Sequence, residues 1–259
     1  MYVNQDIDRH FSQIASFYKQ IRKTDVEPIL FIAEAFKGLP EVNAADIGCG
    51  DGRYDLLLFR HLNNLHLTCI DINGSMLEQV SDYLISNNIT RFITIKANAN
   101  DIPIEENSMD CILTFNAIHH FNFIQFIHKA GEMIKKDGLI FIYTRTRSQN
   151  ALNIWGQYFP FFCEKETRLY ELDEMKEWIR YVDSLILETE KTFTYKRNAT
   201  LEQLTEKAKS RHYSTFALYK ECELEKAIET FQENIKRQFQ DTKRIGWFDA
   251  NILLVLRKK

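Results

Sequence analysis

Residues 45–52 read Ala45-Asp46-Ile47-Gly48-Cys49-Gly50-Asp51-Gly52. They close a short apolar run, Ala44–Ile47, and open a helical one over about residues 52–62, with Leu56, Leu57, Phe59 and Leu62 on its apolar side. Glycines at such a strand-to-helix turn let the backbone bend sharply and come close to a ligand, because no Cβ intervenes. The helix N-terminus adds backbone amide donors. A tight turn of purely structural purpose has the same composition, so the following run decides. Leu65-His66-Leu67-Thr68-Cys69-Ile70-Asp71 is an apolar stretch of strand length that ends on an acid, 19 residues after Gly52. In a doubly wound sheet an acid there reaches the hydroxyls of a ribose lying over the first turn. A carboxylate suits a vicinal diol because it accepts two hydrogen bonds at once.

The alternation continues on both sides. A helix is expected over about 26–37, and another over about 75–87, where Ser75 and Glu78 fit a capping box and Met76, Leu77, Val80 and Leu84 recur at helical spacing. Residues 91–97 and 111–115 read as strands. A helix over 122–135 follows, stopped by Lys136-Asp137-Gly138, and 139–144 reads as a strand. Strands separated by helices mean a parallel sheet covered on both faces. The fold class is therefore α/β: a doubly wound, mostly parallel seven-stranded sheet with an added helical lid.

Past residue 146 the alternation weakens. Residues 147–170 carry Trp155, Tyr158, Phe159, Phe161 and Phe162; a helix is expected near 172–182, a strand near 184–196, two charged amphipathic helices over 200–240, and a last strand near 248–257. The expected organisation is one structural domain: residues 1–146 form the core with an N-terminal flap, and 147–259 complete the sheet and add lid segments at 147–170 and 200–240. The aromatic run reads equally as a pocket lining and as packing. Arg145, at the carboxyl edge of its strand, reads equally as an anchor for a substrate anion and as a surface ion pair.

Composition excludes several classes. The 259 residues carry a formal charge of −3, which argues against a general nucleic-acid coat. With 45% hydrophobic and 27% charged residues the chain is of ordinary globular make-up rather than disordered. No apolar run has the length of a membrane span, and Met1–Phe11 lacks the layout of a secretory leader. The five cysteines form no CxxC pair and no Cys/His cluster with ligand spacing, so reduced thiols in a cytoplasmic protein are expected and a metal site is not.

The spacing also separates two nucleotide cofactors. A dinucleotide fingerprint requires Gly-x-Gly-x-x-Gly, and Arg53 stands where its third glycine would be. The pattern here is Gly-x-Gly-x-Gly. With Cys69–Leu77 (CIDINGSML), the stretch from Ala97 to Phe121 (ANANDIPIEENSMDCILTFNAIHHF) and Met133–Ile142 (MIKKDGLIFI), it resembles the class I S-adenosylmethionine-dependent methyltransferases, and within them the small-molecule branch typified by ubiquinone- and menaquinone-biosynthesis enzymes. The motifs span about residues 40–146 and specify fold and cofactor, not acceptor.

The resemblance implies a Rossmann-like methyltransferase fold and assigns roles. Gly48, Cys49 and Gly50 would lie under the methionine part of the cofactor, with Asp46 near its amino group. Asp71 would hold the ribose hydroxyls, and Ile72 and Met76 would pack on adenine. The family's Gly-Asp-Ala triplet is Ala97-Asn98-Ala99 here; Asn98 can still accept from the adenine amine, without the charge. Asn116 would line the cofactor, and His119 and His120 match a His-rich position near the methyl group. In the segment FSQIASFYKQIR, Tyr18 and Arg22 match a Tyr-Asp-x-x-Arg flap motif whose Asp is Lys19 here; Arg22 would reach the cofactor's carboxylate.

The implied reaction is in-line methyl transfer to a small, partly apolar molecule. His119 and His120 are the candidate bases, since histidine titrates near neutrality; the plainer reading is that one packs and the other orients backbone. A methyltransferase acting on RNA or protein, or a non-catalytic cofactor-binding module, are the alternatives. The Asn-Pro-Pro-Tyr signature of amino-methylating nucleic-acid enzymes is absent, with Asn116-Ala117-Ile118-His119 in its place.

Overall fold

A computed structural model describes residues 24–259. Their elements run α1 (Glu27–Ala35), β1 (Val42–Ile47), α2 (Arg53–His61), β2 (Leu65–Asp71), α3 (Gly74–Ser86), β3 (Phe92–Lys96), β4 (Met109–Phe115), α4 (Phe123–Met133) and β5 (Ile134–Thr144). Three short helices follow, α5 (Arg147–Ala151), α6 (Ile154–Tyr158) and α7 (Phe162–Lys165), then α8 (Leu172–Arg180), β6 (Leu185–Ala199), α9 (Leu201–Lys209), α10 (Glu221–Gln238) and β7 (Ile245–Lys258). The strands form one seven-stranded sheet in the order β3-β2-β1-β4-β5-β7-β6. β3 through β5 pair in parallel and β7 runs antiparallel to β5. This is the mostly parallel doubly wound α/β sheet expected from the sequence.

The order reverses between β1 and β4. β1 leads through its turn to β2 on one side, and β4 lies on its other side, with Ala44 opposite both Leu67 and Cys111. Ligands of open α/β sheets bind at the carboxyl ends of the strands at such a reversal. The continuous apolar runs of β1, β2 and β4 are buried on both faces, as central parallel strands must be.

Several local readings change. α3 is capped by Asn73, whose side chain accepts from the Met76 amide, rather than by a Ser75–Glu78 box. The side-chain oxygen two residues after Asp71 satisfies the helix's open amide first. No helix joins β3 to β4. Residues 97–108 lack apolar periodicity and form a loop with an Asn98–Asp101 bridge, and Ile93 on β3 stays 60% exposed. The expected stop at Lys136-Asp137-Gly138 falls inside β5. There the ladder jumps from Met109↔Ile134 to Cys111↔Leu139 and Asp137 adopts a φ of 63°, so the turn chemistry makes a bulge rather than a helix end.

The described residues divide into two compact units. One holds the residues up to Thr144, Tyr170–Phe193 and Ile252–Lys259. Its core joins Ile47, Ile70, Ile112, Ile140 and Leu254 from the sheet to Phe126, Ile127 and Met133 from α4. The other holds Arg145–Leu169 and Thr194–Asn251. Its core is aromatic: Trp155, Phe159 and Phe162 pack with Phe216 and Phe231, Trp155 lying 5.2 Å from Phe231 and Phe159 lying 5.0 Å from Phe216. Three of the five aromatics in the 155–162 run thus build a core of their own. In the same unit Arg145 and Arg197 share Asp249, at 3.4 and 3.3 Å.

Candidate functional site

The turn after β1 is held by two backbone amides. Gly48 and Cys49 both donate to the Ile70 carbonyl of β2, at 2.8 and 3.0 Å. Gly48, Gly50 and Gly52 all have positive φ, 76°, 56° and 75°, a region that favours glycine. They are glycines for different reasons. A Cβ on Gly48 would stand 2.5 Å from the Ala117 Cβ and 2.9 Å from Phe121, and one on Gly52 would stand 2.2 Å from Val80. Around Gly50 a Cβ would meet nothing within 4 Å. The outer glycines admit neighbouring segments, and the middle one leaves an open face.

Asp71 closes this cradle from β2. Its Oδ2 accepts from the Gly50 amide at 3.0 Å and its Oδ1 from the Asn73 amide at 2.9 Å. A carboxylate has about four acceptor positions, which suits it to bind a vicinal diol as well as backbone amides. The two strongest sequence signals, the glycine turn and the acid, are thus in direct contact. α2 begins at Gly52 with no side-chain cap, which leaves its first-turn amides to the turn.

Acids surround the turn. Asp46, Asp51 and Asp55 are 1%, 1% and 0% exposed. Asp46 Oδ1, Asp51 Oδ2 and Asp55 Oδ1 are buried without a hydrogen-bond partner. Burial, then the neighbouring Asp55 and Asp71, hold the Asp46 carboxyl well above the usual carboxylate range. Burial pushes Asp55 up to about 6, against hydrogen bonds from Asp46 and Cys69 that pull it down. The Cys69 thiol donates to Asp55 Oδ2 at 3.3 Å. A hydrogen bond with Cys49 pulls the Cys69 thiol down, but burial and the charges of Asp55 and Asp46 push it up to about 12. Burial likewise raises Cys49 and Cys111. These thiols are not nucleophiles near neutral pH.

The remaining candidates fall around the same edge. Asn116 follows β4 with a φ of 54°; its amide donates to the Tyr143 carbonyl at 2.7 Å and its Nδ2 to the Tyr54 hydroxyl at 3.4 Å. His119 and His120 sit on a short 3-10 turn, Ile118–His120, with ring centroids 4.1 Å apart. Ala117 and Phe121, which bracket them, are the residues that crowd Gly48. The histidine pair is thereby carried next to the glycine turn. Ile72 is exposed beside Asp71, whereas Met76 is buried on the inner face of α3. Asn98 is exposed, and its Oδ1 already accepts the Asn100 amide at 2.9 Å; Ala99 is buried. Tyr18 and Arg22 lie outside the described residues.

Three residues at this edge were not singled out from the sequence. Asp51 lies inside the motif and Asn100, whose Oδ1 is buried without a partner, lies two residues past Asn98. Asp55 had a legible signal. It shares a helical face with Leu58 and Phe59, three and four residues on, where an apolar residue is the rule. Among the described residues no group of three or more His, Cys, Asp or Glu could hold a metal ion, and no helix is long and apolar enough to cross a membrane.

The unpartnered oxygens test which ligand the turn fits. A group with several N–H donors and a positive charge satisfies buried acids, and a vicinal diol satisfies Asp71. Methionine's ammonium joined to a ribose, as in S-adenosylmethionine, has these features; a pyrophosphate would bring negative charge against the acids.

Residues 44–138 match the family model of a methyltransferase domain. A crystal structure of a putative methyltransferase from Bacillus halodurans is 14% identical and superposes with a TM-score of 0.65, covering 91% of this chain and 99% of that one. A putative methyltransferase from an antibiotic biosynthesis pathway of Anabaena variabilis is 19% identical with a TM-score of 0.66, covering 93% and 100%. Geranyl diphosphate C-methyltransferase from Streptomyces coelicolor, solved with Mg2+, geranyl-S-thiolodiphosphate and S-adenosyl-L-homocysteine, is 13% identical with a TM-score of 0.55, covering 89% and 75%. No curated protein matches the sequence. At these identities the structures establish a shared fold, the Rossmann-like fold of these methyltransferases.

Proposed function

We propose that this chain is an S-adenosylmethionine-dependent methyltransferase of the small-molecule branch, acting on a small, partly apolar acceptor. The observation that carries the reading is the Gly50–Asp71 contact, with its open glycine face and the unpartnered acids beneath it, inside the segment that matches a methyltransferase domain. The sequence resemblance to ubiquinone- and menaquinone-type enzymes and the small-molecule neighbours of the fold both support a small acceptor.

When bound, S-adenosylmethionine supplies a methyl group on a sulfonium, whose departure leaves a neutral thioether. The protein's work is therefore alignment and exclusion of water. Asp71 orients the ribose, the turn at Gly48, Cys49 and Gly50 lies under the methionine part, and Asp46 faces the ammonium. Ile72, Met76, Asn98 and Ala99 border the adenine, and Asn116 lines the cofactor. Tyr18 and Arg22 belong to the proposed flap over it. Holding an acceptor in near-attack geometry contributes roughly 7–11 kcal/mol. A base is needed only for a protonated acceptor atom, and His119 or His120 takes that proton.

The test is calorimetric titration with S-adenosylhomocysteine and, separately, with NAD. The reading expects saturable binding of the first and none of the second. Binding of NAD alone would overturn it.

A further inference from the structure

Asp46 and Asp55 form a pair of buried carboxyl groups, one at the end of β1 and one in the first turn of α2. Cys69 joins them: it is the register partner of Asp46 across β1 and β2, and its thiol donates to Asp55 Oδ2 at 3.3 Å, yet each acid leaves its Oδ1 buried without a donor. Two carboxylates cannot donate to one another. A carboxylic acid can donate to a carboxylate, so one proton held between the two relieves both the missing donor and the repulsion of like charges. We infer that Asp46 and Asp55 share a single proton in the cofactor-free protein and release it to solvent when a primary ammonium group binds beside Asp46, which makes Asp55 a positioning residue for the cofactor. The inference rests on the function proposed above, since it takes the ammonium to be that of S-adenosylmethionine.

The surroundings favour this exchange. From β2 the pair faces Cys69, which donates to Asp55, and Asp71; from β4 it faces Cys111; from the turn it faces Asp51 and Cys49. Arg53, two residues before Asp55, places its guanidinium 5.3 Å from the Tyr54 ring centroid. The carboxyls facing the pair all favour its protonated form. An arriving cation reverses that preference, because it stabilises the ionised pair. Asp55 never touches the cofactor in this account; it sets how readily Asp46 becomes charged.

The consequence is a proton linkage. Cofactor affinity should rise with pH over the range in which the pair holds its shared proton, by at most about tenfold per pH unit, and level off where the pair is ionised. The probe is S-adenosylhomocysteine, titrated calorimetrically from about pH 5 to about pH 8 in buffers of different ionisation enthalpy, so that proton release is counted directly. The control is 5′-methylthioadenosine, which keeps the adenosine and the thioether but lacks the ammonium; its affinity should be flat over the range. In Asp55→Asn the amide donates to Asp46, so the rise should move to lower pH while binding at about pH 8 persists. A flat profile for S-adenosylhomocysteine, the same slope with 5′-methylthioadenosine, or an unmoved midpoint in Asp55→Asn would each overturn the inference. The wild-type comparison of the two nucleosides decides it even if the variant fails to fold. Failure of both nucleosides to bind at every pH would instead overturn the proposed function, and this inference with it.

Discussion

Each unit of the molecule buries carboxyl groups, and it treats them in opposite ways. In the second unit Glu166 is 4% exposed and fully supplied with donors: Arg168 grips both of its oxygens, and Thr215 donates to Oε2 at 2.5 Å. Burial pushes that carboxyl up, but Arg168 and Thr215 win and hold it below the usual range. Asp46 and Asp55 in the sheet unit are buried at least as deeply, and each keeps an oxygen without a donor. A buried acid whose donors come from its own chain is part of the architecture. A buried acid short of donors is a place where the fold spends stability on a ligand.

The largest expected effect breaks the satisfied side of this comparison. Glu166→Ala strands the Arg168 guanidinium, 13% exposed, in the second unit. It should cost about 3–5 kcal/mol in chemical denaturation. A loss below about 1 kcal/mol would mean that the pair behaves as a surface ion pair.

Next come the glycines. Gly48→Ala drives a Cβ to within 2.5 Å of the Ala117 Cβ at a φ of 76°. Overpacking and left-handed strain together should cost about 2–4 kcal/mol in denaturant titration. Gly50→Ala meets no neighbour within 4 Å, so only the strain remains, about 1–2 kcal/mol. Equal losses at the two positions would refute the distinction between a packing glycine and a cradle glycine.

Asp71→Ala removes the acceptor of the Gly50 and Asn73 amides together with the proposed diol contact. Affinity for S-adenosylhomocysteine should fall by about 1.5–3 kcal/mol, the scale of hydrogen bonds to a charged group. Unchanged affinity would put the ribose elsewhere.

The smallest effect sharpens the comparison. A carboxyl raised in the folded state takes up protons on folding, so its contribution to stability is present at low pH and lost as pH rises. For Asp55 that loss runs from the ordinary carboxylate range through about 6. Asp55→Asn should remove this dependence, seen as a higher melting temperature of the cofactor-free protein at pH near 8 and little change at low pH. Glu166, lowered rather than raised, contributes with the opposite sign: its stability is present at neutral pH and lost as pH falls below the usual carboxylate range.

How far the sequence carried this picture depends on whether a signal was local. The glycine turn and Asp71 are local signals, each a residue type that its own backbone position demands, and the structure brings them to 3.0 Å. The apolar runs of β1, β2, β4 and β5 were legible because strands buried on both faces cannot hide their composition. The acid pair was not, because one partner lies in a strand and the other in a helix, and only the fold brings them together. The aromatic run at 155–162 was ambiguous for a similar reason. Its partners, Phe216 and Phe231, are more than fifty residues away, and nothing in the run itself says that it closes on them. The bulge in β5 was misread because a left-handed Asp before a Gly serves a strand irregularity and a helix end equally well.

A crystal structure with S-adenosylhomocysteine tests the central claim most directly. The account predicts the ribose diol on the Asp71 carboxylate, the methionine part across the open face of Gly50, and the ammonium within hydrogen-bond distance of Asp46. An adenosine bound away from the Gly48–Gly52 turn, or an ammonium turned away from Asp46, would contradict it.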